Sequence, residues 1–374
     1  MVEIELKFQI SEARRTALLK ALDPKKSETI QLQAKYFDTP DRLLAQHGAA
    51  LRQRLEGTSW IQTLKAAGKS HLHRFEHNHN LGELESSPEL DLSIYEAIPE
   101  AQQILTQALG VDAAALKLTF ETDIQRTYRV IQFEDAEIEV CLDVGVVRTS
   151  GREQTIHEVE FELKSGSVQS LLAFSFEWVK KYQLWLDVRS KAEMGNLLAL
   201  EQTVSPARFE KEFVLSKKES AAHNLSLLIG QQMQHLLPNI AAISAGVAEQ
   251  SHIDQAQTAL EHLQLTLALF KDWNSNISDK WAMQLAAFKH QFDHLQHLQH
   301  MQSTLGAFLQ NPTTTENLAK DILYAQEKLG NLVKSTQNVH HYLELLTFSL
   351  SSHDQVQKQD LKTYAHNTLQ NQYR

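Results

Sequence analysis

The first half of the chain alternates between polar and apolar residues with a period of two, and this pattern constrains the fold more than any other feature. In Val2–Gln9, the charged residues Glu3, Glu5 and Lys7 share one strand face, and apolar residues fill the other. Further stretches of the same period cover about residues 28–37, 50–56, 59–66, 71–79, 115–131, 135–147 and 154–164. Roughly eight antiparallel strands of this kind predict a closed barrel rather than an open sheet.

The polar face of these strands carries a high density of charge. A single strand of this kind is often just a solvated strand, and an ordinary barrel turns its apolar faces inward. Because most of the predicted strands share the property, we expect an inverted barrel, with apolar residues outside under helices and charges inside. The same-face charges are Glu3, Glu5, Lys7, Arg52, Arg54, Lys65, Arg74, Glu76, Arg126, Glu137, Glu139, Glu158, Glu160 and Glu162.

The pattern changes at about residue 204, where helical periodicity replaces the alternation. Helices that flank the barrel are predicted near 11–22, 99–109, 168–182 and 190–200. Later helices are predicted over 217–237, 251–270, 279–309, 316–350 and 354–372, with Pro238 as one of the breaks. We therefore predict an α+β protein: an eight-stranded antiparallel tunnel barrel with flanking helices in 1–203, followed by an all-α helical bundle in 204–374.

Composition narrows the class of protein. The 374 residues exceed what one hydrophobic core usually fills, and the net charge of −10 argues against broad nucleic-acid binding. No apolar run approaches the ~18 residues of a membrane span, and no secretory signal is visible, so we expect a cytoplasmic protein without membrane or nucleic-acid partners. Cys141 stands alone, which excludes an internal disulfide and predicts a buried structural thiol.

The carboxylates on the polar face predict a site for divalent metal ions. Side chains at i and i+2 on a strand point the same way, about 6.6–7 Å apart. Glu3 and Glu5 could therefore face Glu158, Glu160 and Glu162 across a narrow barrel, where they repel one another unless cations neutralise them. Oxygen ligands without cysteine or an obvious histidine pair suit Mg²⁺ or Mn²⁺.

Basic residues on the remaining strands complement these carboxylates. They are Lys7, Arg52, Arg54, Lys65, Arg74, Arg126 and, near the mouth, Lys191. Arginine binds phosphate oxygens through paired hydrogen bonds, so a linear triphosphate fits an interior with metal on one side and cations on the other. A metal-polarised water would then attack the terminal phosphorus. Internal ion pairs without any ligand are the alternative, whereas the lack of a Gly-x-x-x-x-Gly-Lys-Ser/Thr loop argues against a P-loop site.

Motifs in the first 200 residues resemble a known family. They are Glu3-Ile4-Glu5-Leu6-Lys7, Tyr36-Phe37-Asp38-Thr39-Pro40, Leu51-Arg52-Gln53-Arg54, Gln62-Thr63-Leu64-Lys65, Arg74-Phe75-Glu76, Arg126, Glu158-Val159-Glu160-Phe161-Glu162-Leu163-Lys164 and Arg189-Ser190-Lys191-Ala192. As an ordered set, they resemble the CYTH superfamily, the triphosphate tunnel metalloenzymes. The resemblance implies an eight-stranded tunnel that hydrolyses triphosphates with Mg²⁺ or Mn²⁺, and an inorganic triphosphatase in particular.

The resemblance also implies roles for residues. Metal-facing carboxylates would be Glu3, Glu5, Glu158, Glu160, Glu162 and Asp143. Substrate ligands would be Lys7, Arg52, Arg54, Lys65, Arg74, Arg126 and Lys191. Catalytic residues would be Lys7, Arg54 and Glu76, and both Glu76 and Asp143 are candidates to orient water or a second metal.

Several alternatives stay open from the sequence. The same family contains class IV adenylyl cyclases and thiamine or nucleoside triphosphatases, for which Trp60, Tyr36 and Tyr128 are candidate stacking residues, although each is more often simply core. A non-catalytic polyanion-binding module is an alternative of another class. The helical half resembles a CHAD domain with few basic residues, and it offers a surface for a homodimer. We interpret its histidines at 290, 294, 297 and 300 as an exposed helix face rather than a metal site.

Overall fold

A computed structural model describes residues 2–68, 70, 72–110, 115–212, 215, 218–271, 275–305, 308 and 312–350. The chain divides into two compact units, with the division between Ser205 and Pro206. Within the described ranges, no helix has the length and apolar character needed to cross a membrane.

The first unit is a closed antiparallel barrel of eight long strands. These are β1 (Val2–Gln9), β2 (Glu28–Asp38), β3 (Ala49–Glu56), β4 (Ser59–Ala67), β5 (His73–Glu83), β6 (Lys117–Phe133), β7 (Ala136–Thr149) and β8 (Arg152–Ser165). They pair in the order β5-β4-β3-β2-β6-β7-β8-β1, and the pairing of β1 with β5 closes the barrel. The short strand β9 (Trp185–Leu186) adds to β1. The predicted barrel is confirmed.

Helices cover the outside of the barrel, where the apolar strand faces point. They are α1 (Glu12–Leu22), α2 (Leu43–Gln46), α3 (Pro99–Leu109), α4 (Val168–Tyr182) and α5 (Lys191–Ala199), with a 3₁₀ turn at Ser93–Tyr95. On β8, Phe161 packs edge-on against Phe174 of α4, with ring centroids 5.2 Å apart. On β3 and β4, Leu51 and Leu64 are fully buried in an apolar cluster with Leu109 of α3. On these strands the apolar side chains point outward toward the helices. Because side chains alternate between the two faces, the charged ones point into the interior.

The helix α5 is positioned by apolar contacts with one part of the barrel interior. Its Met194 lies in a cluster with Phe120, Ile124 and Val147, which follow the inward alternation of β6 and β7. The contact is close at Gly195, where a Cβ atom would lie 2.1 Å from the Phe120 ring. This packing holds Lys191, the first residue of the helix, at the charged part of the interior.

The second unit is helical over all of its long described elements, as predicted. They are α6 (Ala221–Ser244), α7 (Gln250–Leu269), α8 (Ser275–Leu305), α9 (Pro312–Val333) and α10 (Thr336–Leu350). Histidines 290, 294, 297 and 300 of α8 are exposed, in keeping with our interpretation of that face. The helix predicted over 354–372 lies outside the described residues.

Two predicted helix boundaries were wrong. Pro238 does not end a helix, although it lacks the N–H donor that a helix interior normally uses. Leu236, Leu237 and Ile240 around it are buried, and their packing stabilises α6 across this position. The stretch 316–350 is not one helix but two. A new helix begins after Ser335, whose hydroxyl accepts a hydrogen bond of 3.3 Å from the backbone N–H of Asn338.

Candidate active site

The predicted site residues lie on the interior faces of the barrel strands or reach the interior from α5. Ion pairs connect them into three groups, which the register of the strands keeps distinct. One group is centred on β7 and β8, a second on β1, β4 and β5, and a third on the far part of β7 and β8. Each group places carboxylates directly beside cations.

The first group, here called the carboxylate cluster, consists of Asp143, Glu158 and Glu160. One oxygen of each carboxylate lies within 4.8 Å of the others. The ammonium group of Lys191 contacts all three, at 2.7 Å from Asp143 Oδ2 and 2.8 Å from Glu160 Oε1. Arg126 binds both oxygens of Asp143, at 2.7 and 2.6 Å, and also Glu160 Oε2 at 2.5 Å. Burial alone would favour the protonated form of these three acids, and the neighbouring cations oppose this by pairing with the carboxylates.

Burial and charge act in opposite directions on these carboxylates. Burial favours the neutral acids, but Lys191 and Arg126 hold the pKa of Glu160 well below its usual range, and the same two cations lower the pKa of Asp143. Glu158 is fully buried, and this burial raises its pKa despite Lys191 and Lys7 nearby. Lys7 is the more distant of these cations, with its Nζ 3.8 Å from Glu158 Oε2.

The second group joins Glu3 and Glu5 of β1 to residues of β4 and β5. Lys65 Nζ lies 2.8 Å from Glu3 Oε2 and 2.7 Å from Glu76 Oε2, while Arg74 Nε lies 2.8 Å from Glu5 Oε1. Burial raises the pKa of Glu3 to about 8, although Lys65 opposes the shift, and a hydrogen bond between Glu3 and Glu76 raises it further. Burial acts the same way on Glu76, but Lys65, Glu3 and Arg52 together hold its pKa below the usual range. Glu76 is therefore the more acidic group of this pair.

Two neighbouring guanidinium groups, those of Arg52 and Arg54 on β3, bring positive charges close together. Burial and the repulsion from Arg52 lower the pKa of Arg54 to about 10, although Glu56 pairs with it. The Nε atoms of both arginines are buried and, among the described residues, have no hydrogen-bond partner. The phenol of Tyr36 accepts a hydrogen bond of 3.3 Å from Arg52. Unpaired, mutually repelling N–H donors in an enclosed interior are suited to an anion.

The predicted metal ligands do not form a single set. Glu162 belongs to a third group, in which Lys164 Nζ lies 2.8 Å from Glu162 Oε1 and 3.1 Å from Glu139 Oε1. Glu5 and Glu162 are register partners on adjacent strands, two positions from the pair of Lys7 and Glu160. The six predicted carboxylates are thus divided among the three groups.

Sequence reasoning missed some residues of the interior. Lys164 continues the alternation two residues after Glu162, so the period-two pattern could have identified it. Lys191 was predicted as a site residue, whereas Asp187 was not. The N–H of Asp187 donates to the Lys7 carbonyl at 3.1 Å and fixes the segment before Lys191. Asp187 also binds Arg189 at 2.7 Å. Cys141 is buried, as predicted, and burial raises its pKa well above the usual range.

The donor chemistry of the carboxylate cluster fits a hard divalent cation. Glu158 is fully buried, and the contacts of its oxygens with Lys191 and Lys7 are ion pairs. Three carboxylate groups within reach of one another offer the oxygen ligands that Mg²⁺ and Mn²⁺ prefer. The residues present are therefore compatible with a bound metal.

Comparison with known proteins identifies the family. A model of the CYTH domain matches residues 1–195, more than half of the chain, and the protein belongs to the CYTH domain family. An inorganic triphosphatase from Haemophilus influenzae is 32% identical over 227 residues, a match that covers 59% of this chain. The match spans 62% of that relative, less than two thirds of its length.

Solved structures with low sequence identity also match. One is a protein from Bacillus halodurans described as a candidate adenylate cyclase, with 23% identity, coverage of 48% of this chain and 89% of that one, and a TM-score of 0.35. Another is a candidate adenylyl cyclase from Hippeastrum described as having a dominant triphosphatase activity. It has 18% identity, coverage of 54% and 97% respectively, and a TM-score of 0.38. The likeness of the helical unit to a CHAD domain stays a prediction.

Proposed function

We propose that this protein hydrolyses inorganic triphosphate to diphosphate and phosphate inside the barrel, with Mg²⁺ or Mn²⁺ as cofactor. The observation that carries the proposal is the pairing of two opposite features in one enclosed interior. The Nε–H groups of Arg52 and Arg54 are buried and have no hydrogen-bond partner among the described residues, and three carboxylates converge within 4.8 Å of one another. A short polyanion and a divalent cation together satisfy both.

The cations of the interior bind the substrate. Arg52 and Arg54 hold non-bridging phosphate oxygens through their unpaired donors, since guanidinium groups bind such oxygens in a paired geometry. The remaining ligands come from the ion-paired cations on the other strands and on α5. They are Lys7, Lys65, Arg74, Arg126 and Lys191.

The carboxylate cluster of Asp143, Glu158 and Glu160 holds the metal, and the carboxylates of the other two groups, Glu3, Glu5 and Glu162, are further candidate ligands. When bound, the metal supplies positive charge to the phosphate oxygens and lowers the pKa of a coordinated water. The acidic side chains are held in place by the hydrogen-bonded pairing of β1, β8 and β7, which fixes the register of the three strands.

Three side chains act on the transferred phosphoryl group. Lys7 and Arg54 stabilise the negative charge that develops on its oxygens in the transition state. Glu76 stays ionised beside Lys65 and Arg52, so it accepts a hydrogen bond from the attacking water and orients it. Glu3 is hydrogen-bonded to Glu76 and is the less acidic group of this pair.

Placement of the aromatic residues favours an inorganic substrate. Trp60 lies on the outward face of β4, and its indole N–H donates to the Leu84 carbonyl at 3.2 Å. The ring of Tyr36 is already stacked on Phe120, with centroids 4.5 Å apart. Both are therefore engaged, which leaves the exposed Tyr128–Glu28 pair as the remaining aromatic candidate of the three. The name of the Haemophilus influenzae relative agrees with this substrate.

Phosphate release from tripolyphosphate, ATP and thiamine triphosphate tests the proposal. With Mg²⁺ or Mn²⁺, we expect tripolyphosphate to give the highest kcat/KM, and excess chelator to abolish turnover. Faster turnover of thiamine triphosphate or of ATP, including conversion of ATP to a cyclic product, would assign the organic alternatives instead. Stoichiometric binding of tripolyphosphate without phosphate release would identify a polyanion-binding module.

A further inference from the structure

Lys191 occupies the position in the carboxylate cluster that a metal ion would be expected to take. Its ammonium group contacts Asp143, Glu158 and Glu160 at once, and its side chain is only 13% exposed. No other ammonium group among the described residues is paired with three carboxylates. A divalent metal ion in a protein is also surrounded by several carboxylate oxygens. The ammonium group of Lys191 therefore occupies the centre of an oxygen-ligand set that would suit a metal ion.

The charges of this cluster are balanced by the protein itself. The three carboxylates are paired with three cations, Lys191, Arg126 and Lys7. Adding a divalent cation to a balanced, buried cluster would leave two uncompensated positive charges, which is costly where water is excluded. Metal binding therefore requires that a cation leave the carboxylates, or that an anion arrive.

Of the two cations among the described residues that contact more than one of these carboxylates, Lys191 is better placed to leave than Arg126. Arg126 is held by paired hydrogen bonds to Asp143, whereas Lys191 is attached through a flexible chain of four carbons to the first residue of α5. The backbone of that helix is fixed independently, by the Ser190 hydroxyl that caps it and by the packing of Gly195 on Phe120. The ammonium group can consequently move while the helix stays in place.

We infer that Lys191 is an internal counter-ion that competes with the metal for Asp143, Glu158 and Glu160 and is released to the substrate. In the protein alone, it neutralises the carboxylates and keeps metal affinity low. When a triphosphate enters, its oxygens attract Lys191, and the vacated carboxylates accept the metal. Metal and triphosphate then bind with positive coupling, and each raises the affinity of the other by the same factor. This inference rests on the proposed site of metal and substrate.

Calorimetric titration of the full chain with Mn²⁺ tests the inference. Mn²⁺ is added to the protein alone and to the protein with a methylene-bridged, non-hydrolysable triphosphate. For the wild type, we expect the analogue to tighten Mn²⁺ binding about tenfold or more. For Lys191→Met, we expect Mn²⁺ alone to bind about tenfold more tightly than to the wild type, with most of the coupling lost.

Lys164→Met is the matched control, because Lys164 pairs with two interior carboxylates outside the cluster. We expect it to leave Mn²⁺ affinity within about twofold of the wild type. A tighter site in Lys164→Met but not in Lys191→Met would place the metal at Glu139 and Glu162 and overturn the inference. The inference would also be overturned if the analogue did not change the Mn²⁺ affinity of the wild type, or if Lys191→Met bound Mn²⁺ alone no more tightly than the wild type does.

Thermal unfolding supplies a readout that is independent of affinity. Without Mn²⁺, Lys191→Met should have a lower Tm than the wild type, because the carboxylates lose their main cation, and Mn²⁺ should raise its Tm more than that of the wild type. If the methionine variant does not fold, Lys191→Gln keeps hydrogen-bond donors without the charge, and the same comparison applies to it. Coupled Mn²⁺ binding without hydrolysis of any triphosphate would refute the proposed function alone. Hydrolysis with unchanged Mn²⁺ affinity in both variants would refute only the role of Lys191.

Discussion

The two units of this protein bury polar groups in opposite ways. The barrel encloses charges, with Asp143 and Glu158 fully buried and held by lysine and arginine. The helical unit encloses neutral groups instead, such as the Asn239 amide and the His341 imidazole. Asn239 is a structural contact: it accepts from the Arg208 N–H at 3.0 Å and donates to the Arg208 carbonyl at 2.9 Å.

This difference indicates where function is located. Burying paired charges gives little net stability, because desolvation offsets the attraction, so a folding unit gains little from an interior of this kind. Burying a hydrogen-bonded amide fixes the packing of helices at lower cost. The charged interior of the barrel is therefore best explained by a ligand, whereas the polar interior of the helical unit is explained by its own packing.

The largest expected effect is on catalysis. In Lys7→Met, turnover of tripolyphosphate should fall about 10²–10³-fold, because a cation that stabilises the transferred phosphoryl group is lost. The fold should be kept, since Lys7 makes one contact of 3.8 Å with the cluster, and Lys191 and Arg126 continue to hold the carboxylates. Steady-state kinetics and thermal unfolding check both parts.

The helical unit provides the control for this variant. Lys289 also contacts two carboxylates, Asp293 at 2.6 Å and Glu261 at 3.2 Å, but it lies in the helical unit, whose described residues include no buried lysine, arginine, aspartate or glutamate. Lys289→Met should leave turnover unchanged. Equal loss of turnover in Lys7→Met and Lys289→Met would contradict the claim that the catalytic cations lie in the barrel.

The next effect is a pH dependence of stability that originates in the helical unit. Burial lowers the pKa of His341 from 6.5 to about 4, although Glu344 opposes the shift, and neither ring nitrogen has a hydrogen-bond partner among the described residues. The unfolded chain therefore binds a proton that the folded chain excludes, and stability falls as pH decreases from about 6.5 to 4. The loss should reach about 3 kcal/mol, measured by denaturant unfolding across this range.

Replacing the imidazole isolates this contribution. His341→Leu should remove the part of the acid-induced loss that His341 causes and leave stability at pH 7.5 similar or slightly higher, since an unpaired buried polar group is lost. An unchanged pH profile in His341→Leu would mean that other groups cause the acid sensitivity.

The smallest effect compares one glycine in each unit. Gly195→Ala should destabilise the protein by about 1–3 kcal/mol, because its Cβ would lie 2.1 Å from the Phe120 ring. Gly230→Ala in α6 should stabilise it by about 0.5–1 kcal/mol, since the nearest atom, Ser349 Cβ, is 3.5 Å away. Denaturant unfolding of both variants gives the signs, and a neutral Gly195→Ala would show that α5 is not tightly packed against the barrel.

The sequence allowed the barrel to be predicted because its pattern is local. A period of two assigns each side chain to a face without any knowledge of the partners, so the interior position of Glu3, Arg52 and Glu160 could be derived directly. The closing pair β1–β5 and the order of the strands depend on long-range register, which no local pattern contains.

The distribution of the site residues could not be predicted for the same reason. The separation of Glu162 from Glu160 into different groups depends on which cations face them, and that depends on pairing across several strands. The contact of Lys191 with three carboxylates requires a helix that enters the interior. In the helical unit, burial around Pro238 overrode the helix-breaking signal, and the cap at Ser335 divided a stretch that periodicity alone made continuous.

Phosphorus NMR of tripolyphosphate incubated with the full chain tests the central claim most directly. With Mg²⁺ or Mn²⁺ present, we predict that the triphosphate signals disappear while diphosphate and phosphate appear in equal amounts, and that excess chelator stops the reaction. Tripolyphosphate that stays intact with every divalent metal tested, or that is hydrolysed at the same rate in chelator, would contradict an enzyme whose charged interior joins a metal to a short phosphate chain.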